Sequence, residues 1–219
     1  MNLRTFLSSL NLLKFCLVSK YLQLPNYPKD IEEMKIARYC MEQIFKCVFD
    51  SATFNNFIFN PEMIEILFYE NKTNIPLQIQ TKNTYLYCAI KHNILKIFFN
   101  HLKSTKLEVY IKEFHYLQQD ILFKILTDGG NTFTAVSYLN VLPGLYNLVK
   151  QHIETSKDCS KMVANIIFDL SERADNIDSF YKDTINYQLC NKYNPKVRFS
   201  VYNQCRSSLP FVIIAKEES

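Results

Sequence analysis

Tryptophan is absent, and only three glycines occur in 219 residues, two of them adjacent at Gly129 and Gly130. Glycine supplies the tight turns on which phosphate loops, dinucleotide-binding turns and nucleophile elbows are built, so a chain this poor in it has little room for those chemistries. The adjacent pair before Asn131 and Thr132 would offer backbone N–H groups to an anion at a helix start. The phosphate-loop lysine and a spaced third glycine are missing, however, and a helix terminator is the simpler reading. Seven cysteines (Cys16, Cys40, Cys47, Cys88, Cys159, Cys190 and Cys205) stand at irregular intervals, and no two show the two-residue gap of a zinc knuckle or redox dithiol. They are expected to be reduced, buried small hydrophobes in an intracellular, reducing setting, cytoplasmic or nuclear.

Long apolar runs are also missing. No stretch reaches the roughly 18 residues of a spanning helix, and Asn11 and Lys14 interrupt the apolar N-terminus, which no small-residue cleavage site follows, so neither a membrane span nor a cleaved signal is expected. The 25 basic and 21 acidic residues, net +4, are mixed along the chain without a block of one sign, which excludes a strong nucleic-acid footprint. What is plentiful is apolar and aromatic material: 48% hydrophobic and 14% aromatic residues suffice for a sizeable core and argue against intrinsic disorder. The 17 Phe and 14 Tyr, with abundant Ile, Asn and Lys, suit an AT-rich genome such as that of a large DNA virus.

Apolar residues recur at helical spacing. Leu3, Phe6, Leu7, Leu10, Leu13 and Leu17 form one stripe, and Pro25 and Pro28 break the helix they predict. Asp30 with Glu33 three residues on predicts a capped helix through Met34, Ala37, Cys40, Met41, Ile44, Phe45 and Val48. Asp50 to Asn60 is expected as a loop, Pro61 as the first turn of a helix through Phe68, and Ile75 to Gln80 as a short edge strand. Further helices are expected over Thr84 to Leu102, Val109 to Leu126, Thr132 to Leu142 as the most buried one, onward from Leu145 to Ile153, from Ser156 to Leu170, and from Ile177 to Leu189. The period then changes: Val197, Phe199 and Val201 alternate with polar residues, and Leu209 to Ile214 follows as the second arm of a β-hairpin. These elements predict a mainly α fold, a single-domain helical bundle or irregular helical stack with a short C-terminal β-hairpin. The helical part runs over residues 1–192, and 193–219 is a hairpin appendage packed on the same domain.

Two stretches resemble known families. Within residues 62–102, Thr84-Tyr85-Leu86-Tyr87-Cys88-Ala89 and the following Ile94-Leu95-Lys96-Ile97-Phe98 resemble the opening and second helix of an ankyrin repeat, with Glu62 to Phe68 as a neighbouring unit. That resemblance implies a helical stack with a concave protein-binding face. Within 128–138, Asp128-Gly129-Gly130-Asn131 leading into Ala135-Val136-Ser137-Tyr138 resembles the approach to the central helix of the Bcl-2 family; Thr132-Phe133-Thr134 stands where that family has Trp-Gly-Arg.

Chemistry-bearing clusters are sparse. Cys88 and His92 lie four apart, half of a metal site with no identifiable remainder, and His101, His115 and His152 are scattered. No catalytic residue, metal or cofactor is therefore expected. The carboxylate pairs Glu32/Glu33, Glu62/Glu65 and Glu217/Glu218 read as solvated faces. The leading expectation is a non-enzymatic protein-interaction module, for a viral source one binding a host protein through a helical groove or face. The alternative is a nucleic-acid-binding accessory protein, using basic residues between Lys82 and Lys112 and a lysine–tyrosine face made of Lys103, Lys106, Tyr110, Lys112 and Tyr116. Glu108, Glu113 and Asp120 dilute the charge of that face.

Overall fold

A computed structural model describes residues 14–15, 18–19, 29–55, 61–69, 77–87, 98–110, 119–139, 143–169, 186–206 and 209–217. Its centre is an eight-stranded mixed sheet, so the fold is α/β and the expectation of a mainly α bundle is overturned. In chain order come the paired two-residue strands β1 (Lys14–Phe15) and β2 (Val18–Ser19), helix α1 (Ile31–Phe45), β3 (Val48–Asn55), α2 (Pro61–Leu67), β4 (Ile79–Tyr87) and β5 (Leu102–Tyr110). Then follow α3 (Gln119–Asp128), a 3-10 turn (Gly129–Asn131), β6 (Ala135–Leu139), α4 (Pro143–Thr155), β7 (Asn165–Asp169), β8 (Tyr187–Cys190), β9 (Arg198–Arg206) and β10 (Leu209–Lys216).

Across the large sheet the order is β3-β4-β5-β6-β7-β10-β9-β8. The pairs from β3 to β7 are parallel, and those of β7 with β10, β10 with β9 and β9 with β8 are antiparallel. The hairpin β9–β10 is thus built into the main sheet. Pro210 pairs with Cys205 of β9, but β7 reaches β10 only from Phe211 to Ala215, so the N–H that proline lacks is not needed on that side.

Parallel strands in sequential order, joined by crossovers of the usual right hand, put their connecting helices on one face. The contacts agree. The Tyr138 hydroxyl on β6 donates to the Leu122 carbonyl of α3 at 2.8 Å, and the Tyr146 ring of α4 meets Phe168 of β7 edge-on at 6.1 Å. Apart from Thr81, Thr84 and Ser104 near the strand entrances, this first face is mainly apolar: Ala52, Phe54, Leu86, Leu107, Val109, Val136, Tyr138, Ile166, Phe168, Val212, Ile214, Val201 and Phe199 are all buried. Burial pushes the Tyr138 phenol well above its ordinary range. The same effect raises Tyr146, helped by its hydroxyl bond to Tyr187 and by the Glu154 carboxylate.

The parallel strands share one irregularity. Inward, buried residues should alternate, yet on five neighbouring strands or strand entrances they step by three: Phe49 to Ala52, Thr81 to Thr84, Ser104 to Leu107, Phe133 to Val136, and Val163 to Ile166. The registers place these steps side by side, since Phe49 pairs with Thr81, Thr81 with Ser104, and Ala135 lies between Lys106 and Asn165. A continuous crease therefore crosses the sheet near the amino ends of its parallel strands.

That crease explains most corrections. Inward residues at Ile79, Thr81, Thr84 and Leu86, or at Leu102, Ser104, Leu107 and Val109, have spacings of two, three and two, so intervals of three and seven appear and imitate a helix. The stretches expected as helices at 84–102, 109–126 and 132–142 accordingly contain β4, β5 and β6, and among their described residues helix occurs only at 98–101 and in α3. Where a helix was expected from Ser156 to Leu170 the chain forms β7 at Asn165–Asp169; residues 50–55 of the expected loop belong to β3; and of the helix expected from Ile177 to Leu189 the described end lies in β8, the rest falling outside the described residues. The edge strand expected at 75–80 starts later and lies inside the sheet. Strands β1 and β2 fall where the first amphipathic helix was expected, and most of its other residues lie outside the described ones. Neither family resemblance survives: Thr84 to Tyr87 and Ala135 to Tyr138 are strand, so there is neither an ankyrin helix pair nor a central Bcl-2-like helix, and the chain is neither all-α nor a helical repeat.

Where the Asp30 cap and Pro61 carry the signal, helices form as expected. The Asp30 carboxylate accepts the Glu33 N–H at 2.8 Å, and the Glu33 carboxylate accepts that of Lys29 at 2.8 Å, satisfying two N–H groups at the start of α1. Pro61 opens a helix as expected, while Pro143, expected to stop or kink one, opens α4. The pair at 129–130 does end α3, but by proximity: a Cβ on Gly130 would stand 2.4 Å from the Met162 carbonyl oxygen and 2.7 Å from that of Lys161.

Candidate binding surface

The face opposite the helices carries mixed side chains. From one side of the sheet to the other it presents Thr53, Tyr85 and Tyr87, then Lys106, Glu108 and Tyr110, then Leu139, Ile167, Phe211 and Ile213, and finally Tyr202. Burial is graded along it. Ser137 in the centre is buried, its neighbours are half-buried, and Tyr87 and Tyr202 remain 36% and 37% exposed. Tyrosine suits such a position because its ring gives area while its hydroxyl stays wet.

Three of the five residues expected to contact nucleic acid, Lys103, Lys106 and Tyr110, come together here as outward positions of β5; Lys112 and Tyr116 lie outside the described residues. Tyr110 packs against Tyr87 of the adjacent strand with ring centroids 5.7 Å apart. Lys106 is partly neutralised by Glu108, whose carboxylate is 3.2 Å from its ammonium. Cys88 and His92, the half metal site, lie outside the described residues, and among those described no three metal-ligating side chains gather.

At the amino end of the same face the crease opens into a cleft of about 320 Å³, bounded by β3, β4, β5 and the segment entering β6. Two of its lining residues, Thr81 and Ser104, form the floor and belong with Thr84 beneath them to a set of mutually bonded hydroxyls. Thr81 and Thr84 are 2.7 Å apart, both lie within hydrogen-bond reach of Ser104 at 2.9 and 3.0 Å, and Ser104 donates to the Lys106 carbonyl at 2.9 Å. All three are buried, and each finds its partners within the group or its backbone. The rim differs: Lys82, Lys103, Thr105, Asn131 and Thr134 are exposed, and among the described residues no acidic side chain lines the cleft. The Gly130 N–H, a donor the sequence suggested for an anion, is spent on the Lys161 carbonyl at 2.8 Å. Gln80 and Asn131 to Thr134 were not readable as site residues, because only the sheet register brings them beside Lys103.

Other polar groups serve packing. Asn191 is buried and fully engaged: its amide donates to the carbonyls of Ile153 at 2.7 Å and Ser156 at 2.8 Å, and its oxygen accepts from the N–H groups of Tyr193 and Asn194. The pin joins the end of α4 to β8. Burial lowers the affinity of the His152 imidazole for its proton against the opposing pull of Asp128. The thiols of Cys40 and Cys159 are pushed up by burial, and Cys40, Cys47, Cys159 and Cys190 are free. Among the described residues no helix is long and apolar enough to cross a membrane.

Residues 8–112 match a family described as a domain of unknown function, DUF8381; the match ends just beyond β5 and covers the Lys82 and Lys103 side of the cleft. No curated protein and no solved structure matches the chain.

Proposed function

We propose that the chain is a non-enzymatic recognition module that binds a protein partner through the face of its sheet that no described helix covers. The supporting observation is the one-sided stack. Strands neighbour each other about 4.8 Å apart, whereas helices are about 10 Å across, so a sheet whose described helices pack on one side is favoured to curve with its strands inside. Such a concave, strand-lined surface suits a convex protein, and Tyr85, Tyr87, Tyr110 and Tyr202 supply the aromatic anchors that carry interface energy. The free thiols support a reducing intracellular setting. A photo-crosslinking residue at position 87 is expected to capture a specific protein, with capture lost when Tyr85→Ala/Tyr110→Ala is added. The same residue at the exposed Tyr193 is expected to capture none. Equal capture from both positions overturns the reading.

Single-stranded nucleic acid is the second reading, favoured by one observation: Lys103, Lys106 and Tyr110 share a face of β5, beside Tyr87. Glu108 against Lys106 weakens it. Filter binding over a salt series separates the two, because phosphate contacts weaken steeply with salt.

A further inference from the structure

We infer that the crease cleft is a binding site for a phosphate group carried on a small, hydroxyl-bearing molecule. The inference does not depend on the protein-binding reading. Lys82 and Lys103 sit on adjacent strands, where Gln80 pairs with Lys103 and Thr81 with Ser104. Two ammonium groups on one cleft repel each other until an anion lies between them, and among the described residues neither has an ion-pair partner. A phosphate dianion matches both charges, and each bond is charge-assisted.

The remaining walls set the rest of the ligand. Thr105, Thr132 and Thr134 contribute hydroxyls, and Asn131 a primary amide, none of them bonded to another described side chain. The floor cannot compete for the ligand, since Thr81, Thr84 and Ser104 already hold one another. A cleft of about 320 Å³ exceeds a bare phosphate, so the body attached to it is polar and of roughly sugar size. The location is unusual: open α/β sheets commonly bind ligands at the carboxyl ends of their strands, and here the crease forms the concavity at the amino ends.

Calorimetric titration of the whole chain tests this with inorganic phosphate, ribose 5-phosphate, ribose and a short single-stranded oligonucleotide. Inorganic phosphate is expected to saturate with a dissociation constant on the order of millimolar, ribose 5-phosphate to bind more tightly, and ribose not at all. Lys82→Ala and Lys103→Ala should each weaken ribose 5-phosphate by about tenfold or more. Lys157→Ala, on an exposed turn, and Tyr87→Ala, on the proposed protein-binding face, should leave it unchanged. No saturable binding of either phosphate overturns the inference, as does binding indifferent to Lys82 and Lys103. Binding of the oligonucleotide alone, lost in the same variants, replaces the small ligand with a nucleic-acid backbone and equally overturns it.

Discussion

The two sides of the crease use the same chemistry for opposite ends. On the inner side, Thr81, Thr84 and Ser104 are buried and bonded to each other and to the Lys106 carbonyl. On the outer side, a few ångströms of backbone away, Thr105, Thr134, Lys82 and Lys103 are exposed and unengaged among the described residues. Hydroxyls that satisfy one another stabilise the place where alternation slips. Hydroxyls and ammonium groups left facing water in a concave setting are free to meet a ligand. Inner-side substitutions should therefore cost stability and outer-side substitutions should cost binding.

The largest effect is expected where the crease is held from below. Gly130→Ala puts a methyl group into the carbonyls of Lys161 and Met162, neither of which is a yielding side-chain tip. A loss of about 2–3 kcal/mol in urea unfolding is expected from such overpacking. Gly144→Ala is the internal contrast. Its methyl would meet only the Gln119 amide at an ordinary 3.5 Å, in the first turn of α4, so stability should hold or rise by about 0.5 kcal/mol. Equal losses at the two glycines would show that close approach is not what position 130 requires.

Next comes the hydroxyl floor. Ser104→Ala removes the acceptor of both threonines and the donor to the Lys106 carbonyl, and is expected to cost about 1–2 kcal/mol. Thr84→Val keeps the shape and leaves Thr81 and Ser104 able to bond each other, so about 1 kcal/mol or less is expected. A Thr84→Val loss exceeding that of Ser104→Ala would mean that packing, rather than the hydrogen-bond network, holds the crease.

A group far from the crease guards against misreading pH effects on it. The floor hydroxyls do not ionise near neutrality, whereas His152 at the end of α4 does, and burial holds its proton affinity below the ordinary value of 6.5. The unfolded chain then binds the proton more readily than the folded one. Stability is complete above the ordinary imidazole range and falls as pH drops through 6.5 toward the folded value. Because the ring is partly exposed, the effect should be small. The urea midpoint should decline from pH 7.5 to pH 5.5 in the parent chain and less in His152→Gln, and identical declines would assign the pH dependence elsewhere.

The crease also decides what could be read in advance. Signals confined to a few neighbouring residues were legible: the Asp30 cap with Glu33, the helix opening at Pro61, and the two-residue alternation from Val197 to Val201. Strands β6 and β7 were not, because short central strands covered by helices read as apolar runs that a buried helix would share, and β4 and β5 add the slip at Thr81 and Ser104. Lys103, Lys106 and Tyr110 do share a surface, Lys106 and Tyr110 by strand alternation and Lys103 through the slip after Ser104, a reason the expected helix over 109–126 did not contain. The rest of the cleft was not legible, since β5 and the entrance to β6 meet only through pairing across more than twenty residues, such as Thr134 N–H to the Thr105 carbonyl.

The sharpest test of the contrast between the two sides is an expected silence. Lys82 and Lys103 are exposed, and neither is ion-paired among the described residues, so alanine at either position removes no stabilising contact and relieves some repulsion between them. The unfolding free energy should move by less than about 0.5 kcal/mol, with any change toward greater stability and larger at low salt, where the repulsion is least screened. Adding saturating ribose 5-phosphate should then raise the melting temperature of the parent and not that of Lys82→Ala/Lys103→Ala, since only a ligand that binds the folded state shifts the equilibrium. If the double variant were instead strongly destabilised without ligand, the lysines would be part of the scaffold like Thr84 and Ser104, and the division of the crease into a structural and a binding side would fail.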